Sequence, residues 1–216
     1  MFFSGPDLLY RIPALLIALT FHEYAHARMA YAWGDHTAKL QGRMTLNPIS
    51  HLDPIGTLMV MIVGFGWARP VPVNPFNFRD QRKGMFWVSL AGPGTNLILA
   101  FAAILLLFVT TGSLPTLYRL APPNILEGIL IWIVLINVFL AIFNFVPLPP
   151  LDGSKILSSL LPRSYAQYYH SIEAYGPFIL ILLLVLGLLP RILLPIASFI
   201  IGVMNMLVLI ITGQFF

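Results

Sequence analysis

The sequence predicts an all-α polytopic membrane protein of about five to six transmembrane helices. A membrane-associated re-entrant or β-hairpin segment is expected around residues 55–76. Three observations carry this prediction. Of 216 residues, 58% are hydrophobic and 9% charged, against about 25% charged in a soluble domain. The apolar residues gather into five stretches bounded by polar or helix-breaking residues. Between the first two lies a piece rich in glycine and proline that is too short and too interrupted to span.

The first stretch, Leu8–Trp33, exceeds the roughly 20 residues that cross a bilayer. Its apolar run Ile12–Phe21, followed by Ala25-His26-Ala27, has the outline of a signal peptide. No basic residue precedes Arg11, however, and the rest of the chain is equally apolar, so it is read as a span. Next comes Ile55–Trp67, with Gly56, Gly64 and Gly66, and then Pro70, Pro72 and Pro75. The alternation from Ala68 to Pro75 suggests extended chain, as an edge strand or a hairpin. At membrane depth such backbone needs protein or a water-filled cavity around it. Met85–Thr111 and Ile125–Val146 are the second and third spans. The fourth, Gly176–Leu189, is short. It either begins earlier, in the amphipathic run Tyr165–Tyr175, or ends against the fifth, Ile192–Thr212, through a break at Pro190.

Charge sets the orientation. With five spans, residues 34–83 and 147–175 share one side, which holds Lys39, Arg43, Arg69, Arg79, Arg82, Lys83, Lys155 and Arg163. Arg11, Arg119 and Arg191 fall on the other. The positive-inside rule places the first group in the cytosol, with the N-terminus outside and the C-terminus inside. The net charge of +4 is spread over many loops, so it reads as an orientation signal rather than a nucleic-acid patch. The expected surroundings are a lipid bilayer, with no nucleic-acid partner, and residues 1–216 are read as one membrane-embedded domain. Cysteine is absent, which excludes disulfides and thiolate ligands.

The chemistry begins in the first span, at His22-Glu23-Tyr24-Ala25-His26. Histidines four apart share one helical face and can share a metal, with the glutamate beside them as general base. Ionisable residues within a span are costly and are therefore functional candidates. A catalytic zinc site usually has three protein ligands and one open position. The other candidates for the third ligand are His36, His51, His170 and the carboxylates, among which Asp152 stands out. It ends the run Asn144-Phe145-Val146-Pro147-Leu148-Pro149-Pro150-Leu151-Asp152-Gly153, at the same end of the bundle as the histidines. The prolines forbid continued helix and leave an extended stretch at the membrane edge. The alternative reading makes Asp152 the cap of a helix beginning at Ser154.

Three ordered motifs resemble the site-2 protease family of intramembrane zinc metalloproteases. They are His22-Glu23-x-x-His26, Ala91-Gly92-Pro93-Gly94-Thr95-Asn96, and Asn144-x-x-Pro147 leading to Leu151-Asp152-Gly153. The runs Leu46-Asn47-Pro48 to Gly56 and Gly66 to Pro75 are similar to the compact branch without PDZ or CBS domains. The resemblance covers residues 8–160. It implies that His22, His26 and Asp152 bind Zn2+, that Glu23 activates water, and that Asn144 holds the substrate strand or the oxyanion. It further implies cleavage of transmembrane protein or peptide substrates near the cytosolic face.

Accessory candidates are His51, Asp53 and Asn96. His51 and Asp53 act at the cavity mouth as relay, gate or alternative ligand, or else belong to a loop in which Asp53 starts a turn at Pro54. Asn96 bonds across helices or orients a zinc ligand. His36 and His170 read as solvated surface residues, and Arg28 as snorkelling to the interface. Two rivals remain: an ion or solute transporter, which predicts carboxylates spread over several spans, and a catalytically silent scaffold.

Overall fold

The computed structural model describes residues 8–63, 66–117, 124–162, 165, 169 and 173–214. Among them the chain is helical: α1 (Leu8–Ala32), α2 (Thr37–Leu40), α3 (Pro54–Val63), α4 (Gln81–Thr111), α5 (Ile125–Phe145), α6 (Asp152–Leu160), α7 (Gly176–Val185) and α8 (Leu188–Ile211). His170, Arg119, Arg163 and Gly64 lie outside the described residues, as does most of the run 165–172 in which the fourth span was expected to begin.

Three helices, α4, α5 and α8, are long and apolar enough to cross a membrane. Their ends follow from local chemistry. Asp80 caps α4 by accepting the N–H groups of Arg82 and Lys83, and Gly112 ends it in the left-handed region at φ 67°. Asn124 caps α5 by accepting from Glu127 N–H at 2.8 Å. The 25 residues of α1 are interrupted by Arg11, Glu23 and Arg28. The expected break at Pro190 falls instead at Gly187, whose φ of 65° separates α7 from α8. Pro190 then sits in the first turn of α8, where its missing N–H has no partner to lose.

The bundle centres on α4 packed along α5, with α1 against both and α6 against α4. Ala14, Ala18, His22, His26 and Ala30 form a buried stripe on α1 with four-residue spacing. The alanines let the backbones approach closely, which sets the two histidines where three helices meet. Ile104 and Leu107 of α4, Leu130, Val134 and Val138 of α5, and Leu193, Ala197 and Ile201 of α8 form the apolar core away from them.

The segment around 55–76 departs from a hairpin. Its first part is α3, and its second is extended chain from Trp67 to Asn74 that forms a single antiparallel bridge, Leu52 with Ala68. Pro70, Pro72 and Pro75 supply no N–H for a ladder. Gly56 backs directly onto the Trp67 carbonyl, where a Cβ would collide. Residues 146–151 are likewise non-helical, and α6 begins at Asp152 itself, with Leu151 in the capping position. A Cβ at Gly153 would strike the Phe145 and Val146 carbonyls, so glycine lets the start of α6 fold back on the end of α5.

Candidate metal centre

The i, i+4 spacing on α1 brings His22 Nε2 and His26 Nε2 to 3.0 Å of each other. The start of α6 adds Asp152, whose Oδ2 lies 3.3 Å from His22 Nε2 and 3.1 Å from His26 Nε2. All three residues are buried. Burial pushes the Asp152 carboxyl up, but positively charged imidazoles donating from Nε2 would outweigh it and hold the group below the ordinary aspartate range.

The far side of each ring fixes its protons. His26 Nδ1 lies 2.7 Å from the Val88 carbonyl, which only accepts, so Nδ1 carries the hydrogen. His22 Nδ1 lies 2.6 Å from Asn96 Oδ1. The Asn96 amide nitrogen donates to Ala18 O at 3.2 Å and Asn137 Oδ1 at 2.7 Å, and Asn137 donates to Ile133 O at 2.8 Å. That chain leaves Asn96 Oδ1 facing His22 as an acceptor. In neutral rings both Nε2 atoms are therefore bare lone pairs, aimed at one another and at a carboxylate oxygen. Such a triangle is repulsive unless a cation sits among them. Two nitrogens and one oxygen, each hydrogen-bonded or charge-balanced behind, make a donor set that suits a catalytic zinc with an open fourth position.

A cavity of about 280 Å³ opens on this triangle. Glu23, Pro70, Val71, Val73, Ser89 and Asn144 are among its walls. Glu23 Oε2 accepts a hydrogen bond from Val71 N–H at 2.8 Å. Asn144 is half-buried and donates to the Leu140 carbonyl at 3.0 Å. Lys155 stands at the rim, its Nζ 3.8 Å from Asp152 Oδ1.

The structure thus brings together His22, Glu23, His26, Asn144 and Asp152, with Asn96 behind His22. It does not bring His51 or Asp53 to the cavity wall. His51 is buried, with Nε2 2.8 Å from Thr45 O, while its own carbonyl accepts from Arg69 N–H at 2.9 Å. Asp53 Oδ1 accepts from Gly56 N–H at 2.7 Å in the first turn of α3. His36 is exposed and stacks on Tyr31. Sequence reasoning missed the Val88 carbonyl, Asn137, Arg43 and the Val71 amide. Gly92 of the second motif lets α4 close on α1 at the site itself: a Cβ there would run into both imidazoles.

The sequence model of peptidase family M50 matches residues 118–187, which include Asn144 and Asp152. YwhC of Bacillus subtilis, named as a zinc metalloprotease, is 44% identical over 176 residues, covering 82% of this chain and 80% of its own. The chain belongs to peptidase family M50. This M50 protein is also 29% identical to Rip2 of Mycolicibacterium smegmatis over 185 residues, 83% of this chain and 68% of that one. With MJ0611 of Methanocaldococcus jannaschii it shares 31% identity over 142 residues, 63% of each chain. Both are likewise named as zinc metalloproteases. No solved structure matches the chain. M50 is the site-2 protease family, and the M50 chain described here is a metalloprotease.

Proposed function

We propose that this peptidase is an intramembrane zinc metalloprotease that hydrolyses peptide bonds within or near transmembrane segments of membrane-protein substrates. The observation that carries this reading is the triangle of two bare imidazole nitrogens and one carboxylate oxygen, 3.0–3.3 Å apart, opening beside Glu23 onto a cavity. His22, His26 and Asp152 would hold Zn2+, which when bound supplies Lewis acidity toward a carbonyl and acidifies water.

The protein's own groups do the rest. Glu23 accepts a proton from water and returns it to the leaving amine. The Asn144 amide turns from Leu140 O to donate to the oxyanion, a contact worth roughly 3 kcal/mol elsewhere. A substrate helix hides its carbonyls in its own hydrogen bonds, so it unwinds before attack. The extended wall at Pro70, Val71 and Val73 offers the unwound strand carbonyl acceptors, since its prolines have no N–H to give and the Val71 N–H is engaged by Glu23.

The membrane reading adds α1 to the three long helices, with α3 as a re-entrant piece. α7 starts against Pro149 at the site end and α8 places Asn205 on Pro115 at the other, so these two helices make one crossing. The count is then four spans rather than five to six. Lys39, Arg43, Arg69, Arg79, Arg82, Lys83 and Lys155 lie in the stretches that follow α1 and α5 or open α4, at the end of those helices that carries the site. The positive-inside rule sets that end at the cytosolic face of a prokaryotic cell membrane. The test is Glu23→Gln in liposomes containing a single-span peptide. Zinc should stay bound while cleavage disappears. Cleavage at the wild-type rate would refute the role of Glu23, and ion flux without cleavage in the wild type would favour a transporter.

A further inference from the structure

Arg43 is buried, yet among the described residues its guanidinium faces main-chain carbonyls rather than a carboxylate. Nη2 donates to Arg69 O at 2.8 Å and to Pro70 O at 3.4 Å. The Pro70 carbonyl and the Val71 N–H belong to one peptide plane and point in opposite directions. On the far side of that plane the Val71 N–H donates to Glu23 Oε2 at 2.8 Å. A guanidinium therefore holds the negative end of this peptide dipole and a carboxylate the positive end, so the ion pair is relayed through one peptide unit.

The segment around this peptide has little else to hold it. Prolines 70, 72 and 75 remove three amide donors, and among the described residues one isolated bridge is its only sheet-like contact. A second buried charge secures the other end. Asp35 is fully buried at the end of α1. Its carboxylate accepts from Asn74 N–H at 2.7 Å and Asn77 Nδ2 at 2.8 Å, besides Thr37. Burying a cation without a carboxylate beside it is costly, and stability alone does not account for placing one here. Fixing the general base does. A glutamate side chain turns freely unless something engages it, and an N–H between two prolines is a stiff donor.

We propose that Arg43 and Asp35 are positioning residues that hold the 69–77 segment across α1, so that the Val71 amide fixes the Glu23 carboxylate for proton transfer. The role rests on the reading of Glu23 as general base. Neither residue touches substrate.

The test compares wild type, Arg43→Met, Arg43→Lys, Asp35→Asn and Glu23→Gln as full chains in liposomes with a single-span peptide. Zinc content, kcat, KM and amide hydrogen exchange over residues 66–78 are read for each. Arg43→Met should lose on the order of 100-fold in kcat, the scale of a misplaced catalytic group, with zinc content unchanged and any rise in KM, from loosening of the substrate-facing wall, smaller than the fall in kcat. Arg43→Lys should recover part of the loss, because an ammonium still reaches a carbonyl. Exchange over 66–78 should quicken in Arg43→Met and Asp35→Asn and stay unchanged in α4 and α5. The proposal is overturned if Arg43→Met keeps wild-type kcat, acts only by raising KM or losing zinc, or leaves exchange over 66–78 as it was. Should Arg43→Met lose its helical circular dichroism, Arg43→Lys and Asp35→Asn decide by the same criteria. If the wild type binds zinc but cleaves nothing, the functional reading falls, and exchange alone decides the latch.

Discussion

A methyl group at Gly92 has nowhere to go, because its place is taken by the imidazoles of His22 and His26. Gly92→Ala should therefore abolish zinc binding and cleavage. Helicity should be retained, since alanine is the better helix former by about 1 kcal/mol; zinc analysis beside circular dichroism checks this. Asn96 is the next most exacting position. Asn96→Ala strands the His22 Nδ1–H and Asn137 Oδ1 in a buried site, at about 1–3 kcal/mol for each unsatisfied group. Zinc affinity should fall roughly 10- to 100-fold, measured by competition with a chromophoric chelator. At this scale the sequence was readable where chemistry and spacing coincide. His22, Glu23 and His26 are neighbours on one helix turn, and Asp152 was marked by the proline run before it. The Val88 carbonyl carries no side-chain signal, and the contacts of Gly92 and Arg43 exist only once α1, α4 and residues 69–77 are packed.

Among the elements, the extended segment responds to pH through Asp35. Burial alone would raise this carboxyl, but bonds from Thr37, Asn74 and Asn77 outweigh it and hold the group below its ordinary value. A lowered folded value means that the stability is fully present above the unfolded value, about 4, and is lost as pH falls through the folded one. Exchange over residues 66–78 should thus stay slow from neutral pH to about 5 and quicken only below about 4. In Asp35→Asn that acid-dependent step should vanish; its persistence there would assign it to another group. The element-level reading of the sequence failed where two signals compete. Pro190 looked like a break, yet a first-turn proline is compatible with a helix, and Gly187 provides the left-handed residue. The alternation at 68–75 did give extended chain, but proline denies it the partner strand a hairpin needs.

For the whole molecule, the long spans were legible because burial in lipid demands nothing subtler than continuous apolar length, which α4, α5 and α8 possess. α1 is harder to recognise by hydropathy, since the residues that make it functional also make it polar. The cytosolic placement of the site is open to direct labelling, because the chain contains no cysteine. Asn205, near the end of α8, donates to Pro115 O beside Ser113, which puts the C-terminus opposite the site rather than in the cytosol as the charge pattern suggested. Gln41→Cys should therefore react with an impermeant maleimide only from the cytosolic side, and Ser113→Cys and Gln214→Cys only from the other. The reverse pattern would invert the topology. The central claim is that His22, His26 and Asp152 hold a catalytic zinc for cleavage within the membrane. It is tested most directly by one measurement: cleavage of a single-span peptide by the purified chain in liposomes, before and after zinc is stripped and restored. One equivalent of zinc should restore cleavage lost to the chelator, at a bond within the peptide's apolar segment. Undiminished cleavage by the stripped chain would contradict the account.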